Sequence, residues 1–147
     1  SKDPISRQST RITAAGTSNG QSTYDMRTFR KWFGVPTLEP HPALVTFYAI
    51  ESPEDWESDR VKELMTDASA ITHLTKDDVP VYMNYNSGDT PVDEKTSAGA
   101  WVHHVQLGLK LQKTMTKLDL ECQVKSPDHS EGANGSMEAF FIEKLSD

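Results

Sequence analysis

The sequence predicts an α/β fold: about three parallel strands, flanking helices and a helical insertion. Three observations carry this expectation. Runs of β-favouring residues at 11–15, 81–85 and 120–124 are separated by segments with helical spacing. Strands alternating with helices imply right-handed crossovers and a parallel sheet. The runs end in loops built from Gly, Pro, Ser, Asn and Asp, the residues of turns. With 147 residues the chain has room for a single domain, 1–147, with one modest core.

Taken in order, residues 1–10 are polar and contain Pro4, which suits an extended lead-in. Residues 11–15 form a short strand, and 16–22 a small-residue loop. A helical insertion follows over 25–68. Asp25 caps its first helix, whose apolar face is Met26, Phe29, Trp32 and Phe33; Gly34 and Pro36 close it. A proline-punctuated linker, 36–42, leads to one or two helical turns around Leu44, Val45, Phe47, Tyr48 and Ile50. Ser52 as N-cap, with Pro53 and two acids behind it, starts a helix reaching about Ala68. Its apolar side is Trp56, Arg60 (through its stem), Val61, Leu64 and Met65.

The central stretch is 79–93. Val81, Tyr82, Met83 and Tyr85 read as a strand, with Pro80 at its mouth, where a missing N–H is tolerated. Asn86, Ser87 and Gly88 then turn the chain and present Asp89 just past the carboxyl end of that strand. The longest helix spans 97–117, with Trp101, Val105 and Leu109 on one stripe and Leu107, Leu111, Met115 and Leu118 on the next. Residues 120–124 alternate as a strand covered on one side would. A polar loop over 126–135 carries His129. Ser136 caps a last helix with apolar face Met137, Phe140, Phe141 and Leu145.

Composition limits the classes of function. Net charge is −7 with no basic cluster, so the footprint of sequence-independent nucleic-acid binding is missing. No apolar run approaches a membrane span. The single cysteine, Cys122, excludes an internal disulfide and a cysteine-based zinc site. No cofactor or metal is called for, and no compartment is implied. The start at Ser1, with no initiator Met and no signal pattern, suggests a fragment or a processed chain.

The chemistry-bearing pair is Asp89 and His129. Two polar loops follow two successive strands of a parallel sheet, so both emerge on the same edge. Ligands and catalytic groups gather at that carboxyl edge in open α/β sheets. An acid that holds an imidazole in one tautomer beside a nucleophile is the logic of the catalytic triad. Asp93 is a competing acid. His103 and His104, being adjacent, point to different sides of a helix and share a metal poorly; packing and helix-start contacts suit them better.

This arrangement resembles the C-terminal half of an α/β-hydrolase of the esterase/lipase type. There the acid follows the seventh strand, and the histidine follows the eighth, before the last helix. Residues 69–81 look like the family's lead-in to the acid strand, 101–120 like the next helix, and 139–145 like the closing helix. Residues 7–13 resemble the sixth strand of planctomycete-type members. The resemblance implies a partial α/β-hydrolase fold, with Asp89 and His129 as triad acid and histidine. It also implies a small ester as substrate and a cap-like role for 25–68, whose aromatics would line the acyl pocket. Its nucleophile elbow, Gly-x-Ser-x-Gly, would lie upstream of Ser1. The chain alone would then be inactive, and its exposed sheet edge would invite self-association.

One local match competes. Gly16-Thr17-Ser18-Asn19-Gly20 is itself Gly-x-Ser-x-Gly, and Ser18, Asp89, His129 is the family's order. An elbow must open directly into a buried helix, whereas 21–25 is polar. Ser18 therefore reads as a turn serine, and a minimal hydrolase using it is the lesser alternative. A further alternative is a non-catalytic module of the same fold, used for binding or structure. It draws on the missing nucleophile and on Ser130 and Glu131, which stand where a glycine and an aromatic often follow the family's histidine.

Overall fold

The computed structural model describes residues 3–4, 11–130 and 132–146. Most of the expected lead-in over 1–10 lies outside them, as do residues 7–10 of the sixth-strand resemblance, and Glu131. Three strands form one parallel sheet in the order β1 (Ala15–Ser18), β2 (Val81–Asn84), β3 (Cys122–Lys125). The register sets Ser18 beside Asn84, and Asn84 beside Lys125, at the carboxyl ends.

The first strand lies later than expected. Residues 11–14 are irregular, and the small residues Gly16 and Thr17, expected in a loop, are in the sheet. Ala15 N–H donates to Pro80 O and Asn19 N–H to Asn84 O, so both ends of β1 are tied to β2. Gly16 is needed there for space. A Cβ would sit 2.7 Å from Met137 Sδ and 2.9 Å from Phe141 Cζ, so the strand lies directly under the last helix.

The first helix, α1 (Met26–Phe33), keeps its expected bounds. The Asp25 carboxylate accepts Arg27 N–H, and Gly34 ends the helix at φ 69°, a left-handed conformation that glycine adopts without penalty. A short α2 (Pro42–Phe47) begins at His41, whose Nδ1 accepts Ala43 N–H.

Two expected helices are each broken in two. The one from Ser52 becomes a 3-10 turn, Pro53–Glu57, followed by α3 (Asp59–Asp67). Ser58 is the cause: its Oγ donates to Asp55 O and accepts Val61 N–H, capping a fresh start. With that phase, Val61 and Met65 turn inward and Leu64 is exposed, against expectation. The helix expected over 97–117 becomes α4 (Ala98–Val102) and α5 (Val105–Thr116). His104 divides them by capping α5, its Nδ1 accepting Gln106 N–H. The two histidines thus sit in a break, and not on opposite sides of a helix.

Helices cover both sheet faces. Met83, Tyr85, Cys122 and Val124 pack on Val105, Leu111 and Met115 of α5. On the opposite face lies α6 (Met137–Leu145), capped by Ser136 Oγ on Ala139 N–H, with the Phe140 ring 5.5 Å from that of Tyr82. Strand β3 is therefore buried on both sides, not one: Gln123 is satisfied by Glu121 and by Asn134 N–H. Leu145, expected inside, is 63% exposed. Lys144 takes the inward position one residue earlier and pairs with Glu121 over 2.6 Å.

The helical insertion has its own core. Phe29, Leu44, Tyr48, Val61 and Met65 close on Trp101 and Val102 of α4 and on Leu107 of α5. Phe29 meets Trp101 edge-on at 4.8 Å. Buried polar groups here are satisfied, as desolvation requires: Ser22 Oγ donates to Leu107 O, and Ser69 Oγ donates to Met65 O and accepts Tyr24 N–H. Among the described residues, no helix is long and apolar enough to cross a membrane.

Candidate functional site

Asp89 and His129 meet at the carboxyl edge. Asp89 Oδ2 lies 3.9 Å from His129 Nε2, with about a third of each side chain exposed. The two loops are also joined through the backbone. Asp128 Oδ2 accepts Asp89 N–H over 2.8 Å. Gly88 makes room for this contact, because a Cβ there would fall on the Asp128 carboxylate. His129 is held by its own turn, its N–H donating to Ser126 Oγ while its carbonyl accepts Ser126 N–H.

The α4–α5 break supports the acid loop from below. Gln106 Nε2 donates to Asp89 Oδ2 over 2.7 Å. His104 is buried and faces two ways: Nδ1 accepts Gln106 N–H, so the proton is on Nε2, which donates to Thr90 O over 2.8 Å. The same break that ends α4 therefore presents both contacts to the loop carrying Asp89. His103 works on the other flank, its Nδ1 on Asn19 O, while Asn19 Oδ1 accepts Asn86 N–H.

The pair is close enough for charge attraction but lacks a triad's finished geometry. At 3.9 Å it is an ion-pair distance and longer than a hydrogen bond. Asp89 also faces Nε2, whereas a triad acid takes Nδ1 and leaves Nε2 for the nucleophile. Rotation of the imidazole about its Cβ–Cγ bond changes which ring edge faces Asp89. Contacts of this kind often tighten only when substrate is bound. A cleft of about 560 Å³, lined in part by Gln112, Asp128, His129 and Ser130, opens beside the imidazole.

The other candidates are placed elsewhere. Asp93 closes a local turn, accepting Lys95 N–H and the Thr96 hydroxyl; the Lys95 amide first, and then Thr96, hold its carboxyl below the usual range. Ser18 ends β1 on the face shared with Gly16, the α6 side, while Asp89 is held from α5. No helix opens behind it; α1 starts only at Met26. Cys122 is inert, since burial pushes its thiol up to about 12. Among the described residues, no three of His, Cys, Asp and Glu group to hold a metal ion.

Gln106 and Asp128 carry no signal in the sequence, whereas His104 makes the helix-start contact expected of it and Gly88 lies in the expected turn. Gln106 and His104 sat inside an apparently continuous helix, where a histidine N-cap gives only a weak signal. Asp128 stands next to His129, but its target, an amide past the end of the neighbouring strand, leaves no pattern. Comparison with protein-family models, curated proteins and solved structures finds no significant match to this chain.

Proposed function

We propose that the Asp89–His129 edge is the acid–histidine part of a carboxylic-ester hydrolase of the esterase/lipase type, acting with a serine nucleophile from a segment upstream of Ser1. The observation that carries the reading is the 3.9 Å approach of Asp89 to His129 at the carboxyl edge of a parallel sheet. On this reading His129 takes the serine proton as the acyl carbon is attacked, and returns it to the leaving alkoxide. Asp89 orients the imidazole and stabilises its cationic form. Water then repeats the sequence to release the acid. The chain alone is inactive and associates through the outer edge of β1, which among the described residues pairs with β2 on one side only.

The test is p-nitrophenyl acetate hydrolysis by the chain and by its parent open reading frame. The parent should turn over, and kcat should fall about ten-thousandfold in Asp89→Asn and about a millionfold in His129→Ala. A parent with no upstream serine elbow and no turnover removes the reading. Turnover by the chain alone, abolished by Ser18→Ala, would replace it with the minimal hydrolase.

A non-catalytic module of the same fold is the second reading. The orientation of Asp89 toward Nε2, the wrong nitrogen for a triad, favours it. A parent that carries the elbow but is silent on esters of several chain lengths would support it.

A further inference from the structure

We infer that the pocket between α2 and the α4–α5 break binds a small, uncharged aromatic compound bearing a hydrogen-bond donor next to an acceptor, such as an aromatic primary carboxamide. This site does not rest on the ester-hydrolase reading.

The pocket has a volume of about 300 Å³, at the small end for ligand sites. Leu44 and Val102, both buried, and the rings of Tyr24 and Phe47 make it mainly apolar. Tyr24 is fixed from behind, because its carbonyl accepts the Tyr48 hydroxyl. Phe47 lies 5.9 Å from Tyr24, yet is 61% exposed. A folded chain gains by covering such a ring, and a flat ligand ring stacked on it would do so.

His41 and His103 supply the polar part, and their tautomers are set within the chain. His41 Nδ1 accepts Ala43 N–H over 3.0 Å, so in the neutral ring the proton is on Nε2, a donor. His103 Nδ1 faces Asn19 O at 2.9 Å, so it carries the proton and leaves Nε2 as an acceptor. With both Nδ1 atoms engaged, Nε2 is what each ring has left for a ligand. One donor and one acceptor from the two histidines match the C=O and N–H of a carboxamide, and the Gln21 amide, also on the lining, offers both kinds of group to the same ligand. A carboxylate offers only acceptors, and an ester lacks the donor.

The experiment is an NMR titration of the isotope-labelled chain with benzamide, methyl benzoate and benzoate. Benzamide should shift the Tyr24, Phe47, His41 and His103 resonances saturably. Methyl benzoate and benzoate should each bind about fivefold more weakly, the cost of one unmade hydrogen bond. Phe47→Ala should weaken benzamide about tenfold through the lost ring contact, with resonances remote from Tyr24 and Tyr48 unchanged. Equal affinity for benzamide and methyl benzoate would overturn the inference without recourse to any variant. So would shifts confined to other residues, or none that saturate.

Discussion

Gln106 and Asp89 are joined by a 2.7 Å hydrogen bond, and the Asp89 oxygen that accepts it is the one facing His129. The amide therefore restrains the carboxylate at the point where it addresses the imidazole. Gln106→Ala removes this restraint at a half-buried position and should cost about 0.5–1.5 kcal/mol, the worth of one hydrogen bond. The Asp89 side chain should become more mobile, as NMR relaxation of its carbons would report. An unchanged Asp89 would mean that Asp128 and His104 suffice to fix the loop.

His104 has a larger effect because it is buried and makes two bonds. His104→Ala loses the cap on α5, about 1 kcal/mol, and leaves the Thr90 carbonyl without its donor. A total of about 2–3 kcal/mol is expected from urea unfolding. His104→Asn should recover only the capping part, since its amide is too short to reach Thr90 as well.

Gly88→Ala sets a methyl group against the Asp128 carboxylate. Separating the two loops should cost about 1–3 kcal/mol. Adding Asp128→Ala should recover part of that loss, giving clear non-additivity in a double-mutant cycle. Purely additive costs would show that the loops are not joined at this point.

Gly108→Ala tests the packing of α5 on the sheet. Alanine is the better helix former by about 1 kcal/mol, but its Cβ would lie 2.5 Å from Tyr85 Cε2. Tyr85 has little room to retreat, since its hydroxyl donates to Gly20 O over 2.7 Å. Net destabilisation of about 1–3 kcal/mol is expected by thermal or urea unfolding.

Alkaline pH should weaken the fold. Burial raises the Cys122 thiol from 9.0 to about 12, and the Tyr48 hydroxyl from 10.0 to about 12. The folded chain keeps protons that the unfolded chain gives up. Their contribution is therefore level below pH 9.0 and falls as pH rises toward 12, by up to about 1.4 kcal/mol per unit for each group. Urea midpoints between pH 8 and 11 would show it, and Cys122→Ala should flatten the earlier part of the fall. At neutral pH, Cys122 should react with a thiol reagent only on unfolding.

What the sequence disclosed was whatever one residue decides locally. Asp25 and Gly34 bound α1 because a cap and a left-handed glycine act within one turn. Val81–Asn84 reads as a strand because its residues suit one. The meeting of Asp89 and His129 followed from parallel order alone. Strand β1 was displaced because its pairing comes from Pro80 and Asn84, far along the chain. The breaks at Ser58 and His104 were hidden because the apolar spacing continues through them. Gln106 came to the site only because the second break turned α5 toward the acid loop.

Leu107 belongs to the core of the helical insertion, while Val105 and Leu111, on the same helix, belong to the core against the sheet. Its carbonyl also holds Ser22. A rod shared in this way leaves neither half a private way to melt. Loosening the insertion strips one side of α5, and loosening the sheet strips the other. The two cores should therefore be lost together, with fluorescence from Trp32, Trp56 and Trp101 and far-ultraviolet dichroism tracing a single cooperative transition.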